Sequence, residues 1–109
     1  MAEILGAFEQ AILITIFQLG DAAYGRGVFH ELNHNVWKKV SAGAVYTTLE
    51  RLENRGLLSS ELKEGTSIRA GRPRRYYSIT PKGALALNSA REAMTMIWKT
   101  TKWPIKATA

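Results

Sequence analysis

The sequence predicts a mainly α-helical protein with one small β-hairpin. Three segments with apolar residues at helical spacing come first, two short alternating segments follow, and a last helical segment closes the chain. The chain has 109 residues and no cysteine, so we expect one domain without disulfides or thiolate metal sites. Apolar residues make up 46% of the chain, which is enough for one modest core.

The first two helices are predicted over residues 3–19 and from about residue 22 to residue 33. Apolar residues recur at helical spacing through the first of them, and Leu13 and Phe17 widen its apolar surface beyond a single stripe. Such a helix has to be covered on two sides. Residues 36–40 are predicted as a short extended piece after the second helix.

The third helix is marked at both ends. Ser41 is a good N-cap, and Gly56 is placed to end the helix in the left-handed conformation that glycine favours. Between them, Val45, Leu49 and Leu52 have the spacing of one buried helix face.

The hairpin and the final helix follow. Residues 58–62 and 77–79 alternate as strands do, and the loop 64–73 between them has two glycines and one proline. Thr80 as N-cap and Pro81 at the first helical position then begin the last helix.

Three helices followed by a hairpin with a long tip form the layout of a winged helix-turn-helix. In that layout the third helix enters the DNA major groove and the hairpin lies along the backbone or minor groove. The residues that would face outward beside the buried stripe are small or form hydrogen bonds, which suits base readout. They are Gly43, Ala44, Thr47, Thr48 and Arg51. The positive N-terminal end of this helix, at Ser41, suits a phosphate.

The charge distribution supports a polyanionic partner. The net charge is +6, and residues 65–109 hold nine lysines and arginines against one acid, Glu92. Arg72, Arg74 and Arg75 lie together in the hairpin with no acid among them. A solvated loop is the alternative, but the Gly-Arg-Pro setting of these arginines favours contact with DNA.

Several ordered motifs resemble PadR-family transcriptional regulators, over roughly residues 4–85. They are Tyr24-Gly25, the run from Ser41 to Glu53 (SAGAVYTTLERLE), Gly56-Leu57, the run from Gly71 to Tyr77 (GRPRRYY) and Thr80-Pro81-Lys82-Gly83. Many members have proline at the position of Thr47 and a bulkier residue at the position of Gly27. The resemblance implies a homodimeric repressor, or less often an activator, that binds an inverted-repeat operator in double-stranded DNA and is released by a small molecule or other signal. It also implies that the Tyr46 hydroxyl contacts a phosphate.

Short members of this family dimerise through a single C-terminal helix, and the apolar pattern agrees with that arrangement. We expect the last helix and the second apolar side of the first to cover each other across a two-fold axis. The residues expected at this interface are Leu13, Phe17, Leu87, Met94, Ile97 and Trp98. Trp98, Met94 and Phe8 are candidates for lining a pocket for a small apolar or aromatic effector. Residues 1–83 would be the winged-helix domain, 84–104 the dimerisation helix and 105–109 a tail.

Other functional classes have weaker support. No nucleophile elbow or phosphate-cradling loop is present, so we expect neither catalysis nor a cofactor. His30 and His34 have no obvious third ligand, so no metal site is expected. The absence of a long apolar run and of cysteine favours a cytoplasmic protein with no membrane partner. An RNA-binding module and a protein-interaction domain without nucleic acid remain alternatives.

Overall fold

The computed structural model describes residues 4–64 and 73–108, and within them it contains four α-helices and one two-stranded antiparallel sheet. In chain order the elements are α1 (Ala7–Leu19), α2 (Gly25–Glu31), α3 (Ala42–Asn54), β1 (Leu58–Lys63), β2 (Arg74–Ile79) and α4 (Pro81–Lys99). A short 3-10 turn, Gly20–Ala22, precedes α2, and a π-helical turn, Leu32–Val36, extends it. The predicted mainly α-helical fold with one hairpin is confirmed.

The hydrophobic core lies between α1, α2 and α3. Leu13 of α1 and Val28 of α2 are completely buried in it. Val45, Leu49 and Leu52 of α3 are completely buried as well, so the predicted inner face of the third helix is confirmed. These side chains hold α3 in place while its opposite face stays exposed.

The prediction of an extended piece at residues 36–40 is wrong. The helical path continues through Val36, and the Trp37 N–H donates to the Leu32 carbonyl oxygen over 2.7 Å. The Trp37 N–H is therefore satisfied within the turn rather than by a strand. The extended residue beside the sheet is Tyr24, which forms an antiparallel bridge with Tyr76.

The start of α4 is built against the backbone that follows α3. The Thr80 hydroxyl accepts from the Gly83 N–H over 3.0 Å and donates to the Gly56 carbonyl oxygen over 2.7 Å. A Cβ atom on Gly83 would lie only 2.1 Å from the Leu57 carbonyl oxygen. Lys82 adds a hydrogen bond from its ammonium group to the Arg55 carbonyl oxygen, 3.0 Å away. This junction sets the direction in which α4 leaves the domain.

The second half of α4 extends away from the rest of the chain. Its buried residues are Gly83 and Ala86, whereas residues 91–100 are all exposed. The chain is accordingly elongated, with principal extents of 58, 32 and 20 Å. In the part of the chain that the structure describes, no helix is long and apolar enough to cross a membrane.

Candidate nucleic-acid interface

The outward face of α3 carries most of the residues predicted to read DNA. The exposed residues there are Ser41, Gly43, Ala44, Tyr46, Thr47 and Arg51. Ser41 caps the helix, because its hydroxyl oxygen accepts from the Ala44 N–H over 3.1 Å. Around Gly43 the surface is open, since a Cβ built there would meet no heavy atom within 4 Å. This end of α3 can therefore approach a flat or grooved partner closely.

Thr48 does not belong to this outward face, and its predicted DNA contact is corrected. Its side chain is only 5% exposed. Thr48 lies three residues after Val45 and directly before Leu49, so the helical repeat places it on the inner face with them. The inner face of α3 is wider than the apolar residues alone indicate.

Two glycines at the start of α2 make room for two tyrosine rings. A Cβ on Gly25 would lie 2.7 Å from Cε1 of Tyr46, and a Cβ on Gly27 would lie 3.0 Å from Cε1 of Tyr24. The start of α2 thus packs against Tyr46 of α3 on one side and supports Tyr24 on the other. A larger residue at position 27 would need the Tyr24 ring, or the Ala22 carbonyl oxygen 3.2 Å away, to give by a few tenths of an ångström.

Two cations and two aromatic rings meet at the base of the wing (β1, β2 and the residues between them). The Arg74 guanidinium carbon lies 4.4 Å from the centroid of the Tyr24 ring, and the Lys63 ammonium nitrogen lies 5.0 Å from that of Tyr76. The two rings are themselves 5.7 Å apart. We call Tyr24, Lys63, Arg74 and Tyr76 the wing base. Of the four, only Arg74 was predicted as a DNA-binding residue; Tyr24 and Tyr76 belong to the motifs Tyr24-Gly25 and GRPRRYY, and no sequence signal singled out Lys63.

Arg75 points into a different network. Its Nη1 donates to the Ser60 hydroxyl over 2.9 Å, and that hydroxyl donates to the Glu53 carboxylate over 2.6 Å. The chain of hydrogen bonds ties β2 through β1 to α3. Arg75 is exposed, so contact with DNA stays a prediction, but part of its role is to hold the wing on α3. Arg72, the third predicted arginine, lies outside the described residues.

Burial raises the pKa of the Tyr77 hydroxyl above its ordinary value, and the Glu53 carboxylate adds to the rise. The folded chain therefore binds the Tyr77 proton more tightly than the unfolded chain does. Above a pH of about 10 the unfolded chain loses this proton first, so stability falls as pH rises. We expect Tyr77→Phe to flatten this alkaline fall in melting temperature relative to wild type, with Tyr46→Phe as the matched control. Parallel curves for wild type and Tyr77→Phe would contradict the assignment.

An open groove of about 740 Å³ runs between α1 and α4. Its lining is mainly apolar but includes two cations. The lining residues are Gln10, Ile14, Leu87, Asn88, Arg91, Met94, Thr95, Trp98 and Lys99. Leu87, Met94 and Trp98 were predicted for the dimer interface or the effector pocket. Ile14, which is 43% exposed, was not among the predicted site residues.

Four of the predicted interface and pocket residues do not line this groove: Phe8, Leu13, Phe17 and Ile97. Leu13 is completely buried in the core of its own domain, so it cannot face a second chain. Phe8 packs edge-to-face on Trp37, with ring centroids 5.3 Å apart, and does not line the groove. Phe17 is 75% exposed and remains available to a partner. In residues 4–64 and 73–108 no three His, Asp or Glu side chains come together as metal ligands.

A three-helix unit with an exposed third helix beside a two-stranded wing defines a winged-helix DNA-binding protein. The sequence matches the profile of the Transcriptional regulator PadR-like family over residues 12–89, and the chain belongs to this family. Members of the family are non-enzymatic DNA-binding regulators of transcription.

Solved structures agree with this assignment. A PadR-like transcriptional regulator from Bacillus cereus strain ATCC 14579 is 32% identical with a TM-score of 0.71, and the match covers 87% of each chain. A PadR-like transcription factor from Bacteroides fragilis is 31% identical with a TM-score of 0.68, over 85% of this chain and 84% of that one. The chain is also 41% identical to Transcriptional regulator Rv3488 of Mycobacterium tuberculosis over 71 residues, which are 65% of this chain and 62% of that protein.

Proposed function

We propose that this chain is a homodimeric repressor that binds an inverted-repeat operator in double-stranded DNA and is released by a small molecule. The observation that carries the proposal is that α3 presents an exposed face whose Tyr46 ring packs at Gly25, directly after Tyr24, and that the Tyr24 ring lies beside the Arg74 cation of the wing base. One element supplies hydrogen-bonding groups for base edges, and the other supplies charge for the backbone. Recognition of base edges would thus be the task of α3, and binding of the DNA backbone would be the task of the wing base.

The proposed contacts follow from the exposed groups. Thr47 and Arg51 would reach base edges in the major groove, because a hydroxyl and a guanidinium can both bond there. Ser41 and Tyr46 would contact phosphates at the N-terminal end of α3, where Gly43 and Ala44 permit close approach. Arg74 and Arg75, with Arg72, would neutralise backbone charge along the wing.

A second copy of the chain is the proposed partner of α4. Met94, Ile97 and Trp98 are 49%, 56% and 40% exposed, which is unusual for three large apolar side chains so close together on one helix. Phe17 of α1 is exposed as well. Packing α4 of one copy on α1 of the other would cover these residues and place two α3 helices on successive turns of DNA.

The groove between α1 and α4 is the proposed effector site. Trp98 and Met94 supply apolar surface, and Arg91 and Lys99 supply positive charge. Because the groove borders the proposed dimer interface, an apolar or aromatic ligand there would change how the two α3 helices are spaced. Release from DNA would follow from that change of spacing.

The test of this function is titration of fluorescent duplexes selected from a random pool, with scrambled duplexes as the control and several salt concentrations. We expect tight binding of the selected duplex with two chains per site, and a steep loss of affinity with salt. Preference for single-stranded RNA would favour the RNA-binding alternative. Absence of binding to every nucleic acid would favour the protein-interaction alternative.

Arg51→Ala tests base readout. We expect the preference for the selected duplex over its scrambled control to shrink by about 1–3 kcal/mol, because one bidentate base contact is lost. Affinity for scrambled duplexes should change little. Lys102→Ala, which removes the same charge from an exposed residue after the end of α4, is the matched control. Equal losses on both duplexes would mean that Arg51 contacts only the backbone.

A further inference from the structure

We infer that Tyr24 is a positioning residue for DNA binding: its ring holds Arg74 at the wing base, so that Arg74 and Lys63 form a site for one phosphate of the DNA backbone. This inference rests on the proposed function. Tyr24 lies outside α3 and outside the wing, and it would contribute to DNA binding by holding the Arg74 side chain in position.

The two cations of the wing base lie on adjacent strands. Lys63 and Arg74 are directly opposite each other in the register of β1 and β2. Two like charges in that relation repel, so the pair is unfavourable unless something compensates. Among residues 4–64 and 73–108 the structure gives neither of them a carboxylate partner. A phosphate group bound beside both would supply the missing negative charge.

Each cation of the wing base is held by a tyrosine ring. Arg74 lies over the ring of Tyr24 and Lys63 over the ring of Tyr76. A neutral ring attracts a cation through its quadrupole but does not cancel its charge. Arg75 contrasts with both, because its hydrogen bonds lead through Ser60 to a carboxylate. The wing base therefore orders two positive charges and leaves them available to an anion.

Tyr24 is itself held in place by neighbouring elements. Its backbone bridges to Tyr76, and the Tyr77 N–H donates to the Ala23 carbonyl oxygen over 2.8 Å. Its ring lies 3.0 Å from the position of a Cβ on Gly27, so the ring packs closely on the start of α2. The position of the ring is thus set by both the sheet and α2. A firmly placed ring lowers the entropy that Arg74 would lose on binding a phosphate.

The experiment is a double-mutant cycle of Tyr24→Leu and Arg74→Ala, titrated with a mixed-sequence duplex of about 30 base pairs at several salt concentrations. Leucine keeps apolar bulk but removes the ring face. We expect Tyr24→Leu to weaken binding about two- to fivefold, as loss of one exposed cation–π contact would. Arg74→Ala should lower the slope of log affinity against log salt by about 0.9, the value for one phosphate contact.

In the Arg74→Ala background, Tyr24→Leu should cost nothing further, because the ring acts through that arginine. Tyr24→Phe is the matched control: it keeps the ring and should bind like wild type. Thermal unfolding of each variant establishes that it is folded. Two results would overturn the inference while leaving DNA binding intact. One is a double variant whose fold loss of affinity equals the product of the two single losses, and the other is a Tyr24→Leu variant that binds like wild type. Failure of the wild-type chain to bind duplex DNA would overturn both.

Discussion

Gly83→Ala is expected to lower the free energy of unfolding by about 3 kcal/mol, because the new methyl group would overlap backbone. A Cβ at this position would lie 2.1 Å from the Leu57 carbonyl oxygen and 3.0 Å from Cγ2 of Ile79. The Ile79 side chain can rotate, but the carbonyl belongs to the backbone between α3 and β1. To relieve the overlap between the new methyl group and the Leu57 carbonyl oxygen, α4 would have to move away from the domain. That movement would break the hydrogen bond from the Thr80 hydroxyl to the Gly56 carbonyl oxygen.

The measurement is chemical denaturation of wild type and variant, supported by the melting temperature. Gly43→Ala is the matched control, since it makes the same change in the first turn of α3, where no heavy atom lies within 4 Å. We expect that control to be neutral or up to about 1 kcal/mol more stable, owing to the better helix propensity of alanine. Equal stability of the two alanine variants would show that α4 does not pack against Leu57 in solution.

Trp98→Asp is expected to convert the proposed dimer into monomers. Trp98 lines the groove between α1 and α4 and lies 5.1 Å from the ring of Trp103 in an edge-to-face pair. At a dimer interface the new carboxylate would be buried without a partner, which costs several kcal/mol. We expect the molar mass from light scattering to fall by half and operator affinity to fall with it, because a monomer holds only one half-site.

Ser89→Asp is the control for this change. Ser89 is exposed on the side of α4 away from Trp98 and is absent from the groove lining, so the same charge there should leave the mass unchanged. A Trp98→Asp variant that keeps the dimer mass would contradict the proposed interface. Dissociation of both variants would place the interface on more than one side of α4.

Both ends of α3 and the start of α4 were predictable because each signal acts on the backbone close to it. Ser41 and Thr80 cap their helices with their own hydroxyl groups, and Gly56 has the positive φ of 77° that its position after α3 requires. Pro81 occupies the first turn of α4, where no N–H is needed. None of these features depends on a distant part of the chain.

The sides of α1 were harder to assign, since apolar residues surround much of that helix. Leu13 is completely buried while its neighbour Ile14 is 43% exposed and lines the groove. The helical repeat shows that two apolar sides exist, but it does not show which one meets the rest of the domain. Thr48 was wrongly predicted to face outward for a related reason. Threonine is a polar residue type, so the sequence pattern does not show when it occupies a buried position.

The start of α3, the start of α4, the buried face of α3 and the family could be predicted from the sequence, because they depend on local backbone chemistry and on residue spacing. The start of α1 and the end of α4 could not: α1 begins at Ala7 instead of residue 3, and α4 ends at Lys99 instead of residue 104. Which tyrosine meets which cation depends instead on the tertiary fold. Tyr24 and Arg74 are far apart in the chain, and their contact exists because β2 returns to the start of α2 and bridges to it at Tyr76. Contacts of that kind depend on where the chain folds back, which no local pattern specifies.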